Sequence, residues 1–171
     1  MTTKFLLLLG PSGAGKSSII KKLRELDNRF VYISPYITRK LRKGEQDKVF
    51  VSSKALDGLV RSEKILIVNE LYGVRYATPR EPIDQAFAVG KFPVLDWPIA
   101  KLDVMERSFS GRIFRVYIEV ADQETLRVRL ADGRDPYNVR LEVGIAELEN
   151  LKRGEYDHVI DYRVVNRAGK V

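Results

Sequence analysis

Residues 6–18 read LLLLGPSGAGKSS, and Gly10, Gly15, Lys16 and Ser17 fall within them at the spacing G-x-x-x-x-G-K-[ST]. That pattern suits one chemistry. Small residues let the backbone fold around a phosphate with successive N–H groups pointing inward, a lysine ammonium reaches the outer phosphates of a polyphosphate, and a serine hydroxyl serves a magnesium ion. Gly10, Ser12, Gly13, Ala14, Gly15, Lys16, Ser17 and Ser18 are the expected cradle, with Ser17 on the metal side. The apolar run before it and the amphipathic run after it (Ile19, Ile20, Leu23, Leu26) supply the strand and helix the motif needs. The helix start adds the positive end of its dipole. A second apolar run ends in a carboxylate, Val94-Leu95-Asp96. An aspartate at the carboxyl end of a strand faces the phosphates, where it orients metal-bound water or an acceptor hydroxyl.

A bound polyphosphate raises the question of where its phosphoryl goes. Transfer needs positioning and charge neutralisation more than covalent help, so arginines on loops are the residues to seek. ISPYITRKLRKGE (33–45) carries Arg39 and Arg42, and RLADGRD (129–135) carries Arg129 and Arg134. A guanidinium grips phosphate oxygens through two parallel donors, which suits an acceptor phosphate or the charge developing between two nucleotides.

The elements that must hold these residues alternate. Strands are expected at Phe5–Leu9, Phe30–Ile33, Val49–Val51, Ile65–Asn69, Phe92–Leu95, Ile113–Glu119 and Tyr156–Ile160. Helices are expected at Ser17–Leu26, Ser53–Arg61, Arg80–Val89, Ile99–Arg107, Asp122–Leu130 and Asn138–Lys152, with Asp122 an N-cap and Gly90 a helix stop. Such alternation predicts an α/β fold, a parallel or mostly parallel sheet with helices on both faces, binding ligands at the carboxyl ends of its strands. The charged stretches 39–48 and 131–136 are the candidate binding loop and lid. Phe114, Tyr117 and Leu126 read as core, His158 as a strand-end residue, and Trp97 and Pro98 as either core or a wall of the acceptor pocket.

Composition sets the bounds. The 171 residues, 44% hydrophobic, suffice for a single domain with a sizeable core. Cysteine is absent, which excludes disulfides and thiolate metal sites and suits a reducing compartment. The first apolar run is too short for a signal-peptide core or a membrane span, so a soluble cytoplasmic protein is expected. A net charge of +7 suits an anionic ligand. Nucleic acid is not an expected partner, because no aromatic stacking platform and no recognised module accompanies the charge.

Taken in order, GPSGAGKSS, TRKLRKGE (38–45), ELYGVRYATPRE (70–81), VLD (94–96) and RLADGR with the later Arg140-Leu141 resemble the guanylate kinases in approximate spacing. The resemblance runs from about Phe5 to Ile160. It implies a three-layer α/β/α P-loop nucleoside monophosphate kinase, with an acceptor-binding segment over about 34–78 and a lid over about 129–141. It further implies transfer of the γ-phosphoryl of ATP, with Mg²⁺, to GMP, dGMP or a related monophosphate. By the same resemblance Arg39, Arg42 and Tyr76 hold the acceptor phosphate, while Thr78 and Asp96 lie near the base or its surroundings. Lys16, Arg39, Arg134 and Arg140 carry catalysis, and Asp96 reaches the metal through water.

The base-reading positions depart from the family. A serine that contacts guanine falls at Pro35, and the tyrosine after the G-E loop is missing, with Lys48 nearest. The carboxylate that takes the guanine N1 and N2 protons falls at Ile67, with Glu70 three residues on as an acidic position able to compensate. The asparagine near the adenine aligns roughly with Tyr162. Two other families share the fold. Ribose 1,5-bisphosphate phosphokinases match Tyr36-Ile37-Thr38-Arg39, and the guanylate-kinase-like modules of scaffold proteins bind peptides with an eroded phosphate loop, whereas Lys16 and Ser17 are intact here.

Overall fold

The computed structural model describes residues 4–131 and 138–167. Along the chain run β1 (Phe5–Leu9), α1 (Lys16–Leu26), β2 (Phe30–Tyr32), β3 (Tyr36–Ile37), β4 (Val49–Phe50), α2 (Ser53–Arg61), β5 (Ile65–Leu71), β6 (Val74–Pro79), α3 (Glu81–Ala88), β7 (Phe92–Asp96), α4 (Leu102–Phe109), β8 (Ile113–Val120), α5 (Gln123–Leu130), α6 (Val139–Lys152) and β9 (Tyr162–Asn166). Short 3₁₀ turns occupy Ile99–Lys101 and Asp157–Val159. Contacts divide the chain into two units, Met1–Asn28 with Val94–Val171, and Arg29–Pro93.

The first unit is built on a central strand that has no polar side. In β1, Phe5, Leu7 and Leu9 are fully buried and Leu8 nearly so, as expected of a parallel strand covered on both faces. Its neighbours run in the order β7-β1-β8-β9, all parallel. The register sets Leu8 beside Asp96 and Leu9 beside Tyr117, so the residue ending β7 lies level with the last residue but one of β1. Asp122 caps α5 by accepting the Thr125 N–H at 2.7 Å. Met105, Tyr117, Leu126 and Leu151 close the core, and buried Trp97 belongs to it, its indole N–H donating to the Lys101 carbonyl at 2.9 Å.

The second unit carries a sheet of its own, in the order β4-β3-β6-β5. β5 and β6 form an antiparallel hairpin whose two-residue turn, Tyr72-Gly73, has positive φ at both positions (54° and 71°), the geometry that matches the twist of the strands. β3 pairs antiparallel with β6 and parallel with β4. β2 lies beside the first residues of β7, where the Phe92 N–H donates to the Arg29 carbonyl at 2.8 Å and the Phe30 and Phe92 rings pack 5.4 Å apart.

Several expected elements are corrected. The strand foreseen at Tyr156–Ile160 is a 3₁₀ turn with His158 exposed, and the edge strand begins at Tyr162. The chain joins β8 at Asp161, whose N–H donates to the Arg115 carbonyl (3.0 Å) while its carboxylate accepts the Arg115 N–H (2.7 Å). Phe114 is 39% exposed rather than core. β3 and β6 were not foreseen, and the helix expected at Ile99–Arg107 is split into a 3₁₀ turn and α4.

Gly10 joins β1 to the turn with φ of 123°, and a Cβ there would lie 2.3 Å from the backbone oxygen of Ile118. Gly10→Ala should cost about 2 kcal/mol or more, from left-handed strain plus a clash with backbone that cannot rotate away. Gly90 (φ 69°) faces open space, so Gly90→Ala should cost only about 1 kcal/mol of strain. Thermal denaturation of the two variants checks the ranking.

Candidate active site

Two sets of residues gather, one in each unit. In the first, the turn after β1 bends through three glycines with positive φ, at positions 10, 13 and 15, and delivers Lys16 to the first turn of α1. The Lys16 ammonium donates to the carbonyls of Gly10 (2.6 Å) and Pro11 (2.9 Å). Desolvation holds its pKa below the usual lysine value, opposed by the charges of Asp96 and Glu147. Ser12 lies within the turn, Ala14 is buried beneath it, and Ser17 and Ser18 are exposed on the first turn of the helix.

Two residues that sequence reasoning did not assign, Glu147 and Asn166, complete this set together with the candidate Arg129. Glu147, on α6, accepts the Tyr117 hydroxyl at 2.8 Å. Burial pushes its carboxyl above the ordinary range, while that hydrogen bond and the Lys16 charge act the other way. Asn166, ending β9, donates its amide to the Ala14 carbonyl at 2.9 Å, and Arg129 reaches the Gly13 carbonyl at 3.3 Å. Asn166 rather than exposed Tyr162 is therefore the residue at the loop. Gly144 was the available signal for α6: a Cβ there would stand 2.7 Å from Leu126 and 3.2 Å from Pro11, so the helix passes close to the turn. Arg140 lies on the first turn of α6, and Arg134 falls outside the described residues.

In the second unit, Thr38 fastens the basic loop to β6. Its N–H donates to the Arg75 carbonyl at 3.2 Å, and its hydroxyl accepts the Arg75 N–H at 3.1 Å. Arg39 follows and meets Glu45 bidentately, both contacts 2.7 Å, with Nη1 also on the Lys40 carbonyl at 2.9 Å. The Arg42 N–H donates to the same carboxylate at 3.0 Å. The Arg39 hydrogen bond is the main reason Glu45 titrates at about 2; burial opposes it, and Arg42 and Lys48 reinforce it. The Tyr76 phenol lies beside the Arg39 guanidinium and, after Glu45, adds to its hold on its proton. Arg39 Nε is buried and makes no hydrogen bond among the described residues, leaving a donor suited to an anionic oxygen.

The hairpin sorts the remaining candidates by face. Ile67 pairs with Thr78 and Asn69 with Tyr76, so these four share one face, on which Ile67, Asn69 and Thr78 are buried. Glu70 pairs with Arg75 on the opposite face and is exposed. The structure thus groups Arg39, Tyr76 and the backbone of Arg42, sets Thr78 on the Tyr76 face, and turns Glu70 away from it. Asp96 belongs to the Lys16 set. No group of three histidine, aspartate or glutamate side chains forms a metal cluster among the described residues.

Residues 2–170 match the family model described as guanylate kinase. The guanylate kinase of Polaromonas sp. is 32% identical over 95% of this chain and 81% of its own length. That of Wolinella succinogenes is 33% identical over 97% and 80%. Among solved structures, the guanylate kinase of Anaplasma phagocytophilum superposes with a TM-score of 0.73 at 22% identity, covering 98% of this chain and 78% of that one. The shikimate kinase of Acinetobacter baumannii reaches 0.51 at 17% identity, covering 98% and 86%. The last two likenesses bear on the fold, an α/β P-loop architecture with a mostly parallel central sheet.

The Arg39–Glu45 pair sets a pH dependence. Glu45 holds its proton less tightly in the folded protein (about 2) than at its ordinary value of 4.5, so the pair stabilises the fold fully above about 4.5. That contribution is lost as pH falls through about 2. Glu45→Gln should cost about 1–3 kcal/mol near neutral pH, and the difference from the parent should vanish toward the bottom of the window. Urea unfolding across that pH range measures it.

Proposed function

Because the chain belongs to the guanylate kinase family, we propose that it is a phosphotransferase moving the γ-phosphoryl of ATP to the phosphate of GMP or dGMP. One observation carries the reading: an intact phosphate-binding turn with its lysine coexists with a guanidinium that two carboxylate contacts hold in place, its Nε still able to donate. The first set is the donor site and the second the acceptor site. Both units act as one guanylate-kinase-like domain, in which Arg29–Pro93 contains the acceptor-binding segment. An intact Lys16 and Ser17 also weigh against a purely peptide-binding module.

The side chains divide the work by charge. Backbone N–H groups of 10–18 hold the ATP phosphates, and Lys16 leaves the Gly10 and Pro11 carbonyls to neutralise charge on the γ-phosphoryl as its bond to the leaving ADP lengthens. Arg39, Arg42 and Tyr76 hold the acceptor phosphate, so that one of its oxygens attacks phosphorus in line. Arg140, and Arg134 in a lid over about 129–141, neutralise the charge shared between donor and acceptor. The oxygen donors Ser17 and Asp96, with phosphate oxygens, fit Mg²⁺, a cation that prefers oxygen ligands and keeps several waters. Bound Mg²⁺ would supply charge neutralisation at the β and γ phosphates. The setting is the cytoplasm, where both nucleotides are available; among the described residues no helix is long and apolar enough to cross a membrane.

Lys16→Ala should lower kcat by about a hundredfold or more with the fold retained, measured by coupled ADP release with GMP as acceptor. Turnover equal to the parent's would remove the kinase reading.

The base is the less constrained partner. Ile67, on the Tyr76 face, accepts no proton from guanine, so discrimination among GMP, AMP and CMP should be weak. Ile67→Glu should raise kcat/KM for GMP relative to AMP and CMP by about tenfold, one modest hydrogen bond. Glu70→Gln, on the opposite face, should leave the ranking unchanged. The same panel includes ribose 1,5-bisphosphate, and its emergence as the best acceptor would move the chain to that activity.

A further inference from the structure

The loop at 39–48 holds five basic residues against two acidic ones. One of the five, Lys48, has no substrate-binding role in the reading above. It does not extend into water as loop lysines commonly do: its side chain is only 15% exposed. Its ammonium lies 2.9 Å from Asp47 Oδ2 and 3.4 Å from Glu45 Oε1, the oxygen that Arg39 Nη2 already occupies at 2.7 Å. Glu45 is well supplied without it, since Oε2 takes both Arg39 Nη1 and the Arg42 N–H. A separation of 3.4 Å adds Coulomb attraction rather than a needed hydrogen bond. What the fold achieves is to bring a second cation against the carboxylate that orients Arg39, beside the Tyr76 phenol.

We infer that Lys48 is a further acceptor-binding residue, whose ammonium contacts the phosphate of the incoming monoester together with Arg39. This rests on the reading of Arg39 as the acceptor-phosphate residue. The two cations differ in kind. Arg39 is a rigid fork held by Glu45, whereas the lysine is a compact charge on a flexible stem that follows the phosphate as it reacts. Recognition of this sort reads the charge of a phosphate dianion and ignores the base.

The test is calorimetric titration of the intact protein with GMP, dGMP and AMP, and separately with ATP. Lys48→Met should weaken every monophosphate about tenfold, by a common factor, while the ATP affinity stays within about twofold, and Lys48→Arg should recover most of the loss. The acceptor phosphate dianion takes up one proton at about pH 6, so as pH is lowered through that range monophosphate affinity should fall in the parent and fall less steeply in Lys48→Met. A lysine that only props the loop would lower the melting temperature and leave that slope unchanged. Monophosphate affinity within twofold of the parent, or an unaltered slope, overturns the inference. If Arg39→Ala weakens the monophosphates and Lys48→Met does not, the inference alone falls. If Arg39→Ala also has no effect, the acceptor site is misplaced and both fall.

Discussion

A contact of backbone with backbone governs the first unit. Gly10 passes so close to the Ile118 carbonyl that no side chain fits between them, and this approach aims the turn that follows. It rests on β1 being paired on both sides, with β8 supplying the carbonyl and β7 bringing Asp96 level with Leu8. The apolar residues of β1 bury the strand on both faces, while its register is held by the ladders to β7 and β8 and by the close approach at Gly10.

Electrostatics then decides what the turn can hold. An ammonium crowded by protein is costly unless compensated. Lys16 is compensated by two backbone carbonyls and by two carboxylates, Asp96 and Glu147. Glu147 is itself strained toward protonation by burial and kept in place by the Tyr117 hydroxyl. Each member therefore leans on another, and replacing the carbonyls by phosphate oxygens would preserve the arrangement while giving the lysine a stronger partner. The second unit repeats the principle, for there a carboxylate holds the guanidinium.

How far this was legible in the sequence depended on whether a residue's role is local. β1, α1 and the cap at Asp122 were readable, because apolar runs, a glycine-rich turn and an aspartate before a helix act over a few residues. The four-stranded sheet was legible only in β4 and β5, because β3 is two residues long and β6 is defined by its partners rather than by apolar alternation. Asn166 and Glu147 reach the turn only through the placement of β9 and α6, and Asn166 lies 152 residues from the carbonyl it meets. Glu70 stood near Ile67 in sequence, yet residues three apart in a strand lie on opposite faces, which becomes visible once β5 is seen to run through Glu70 to Leu71 rather than end at Asn69.

The same alternation bears on how, on the proposed reading, acceptor phosphate and acceptor base are treated differently. In that reading the acceptor phosphate meets a guanidinium fixed by Glu45, with a phenol beside it. Along the shared hairpin face stand Ile67, Asn69 and Thr78. An isoleucine rejects no base by hydrogen bonding, and an asparagine amide both donates and accepts, so it offers a partner to purine edges of either polarity. A carboxylate, by contrast, only accepts, and discriminates by leaving itself unpaired against the wrong base. On the proposed reading, binding free energy comes mainly from the phosphate, and selectivity is limited by the absence of a buried group that the wrong base would leave unsatisfied.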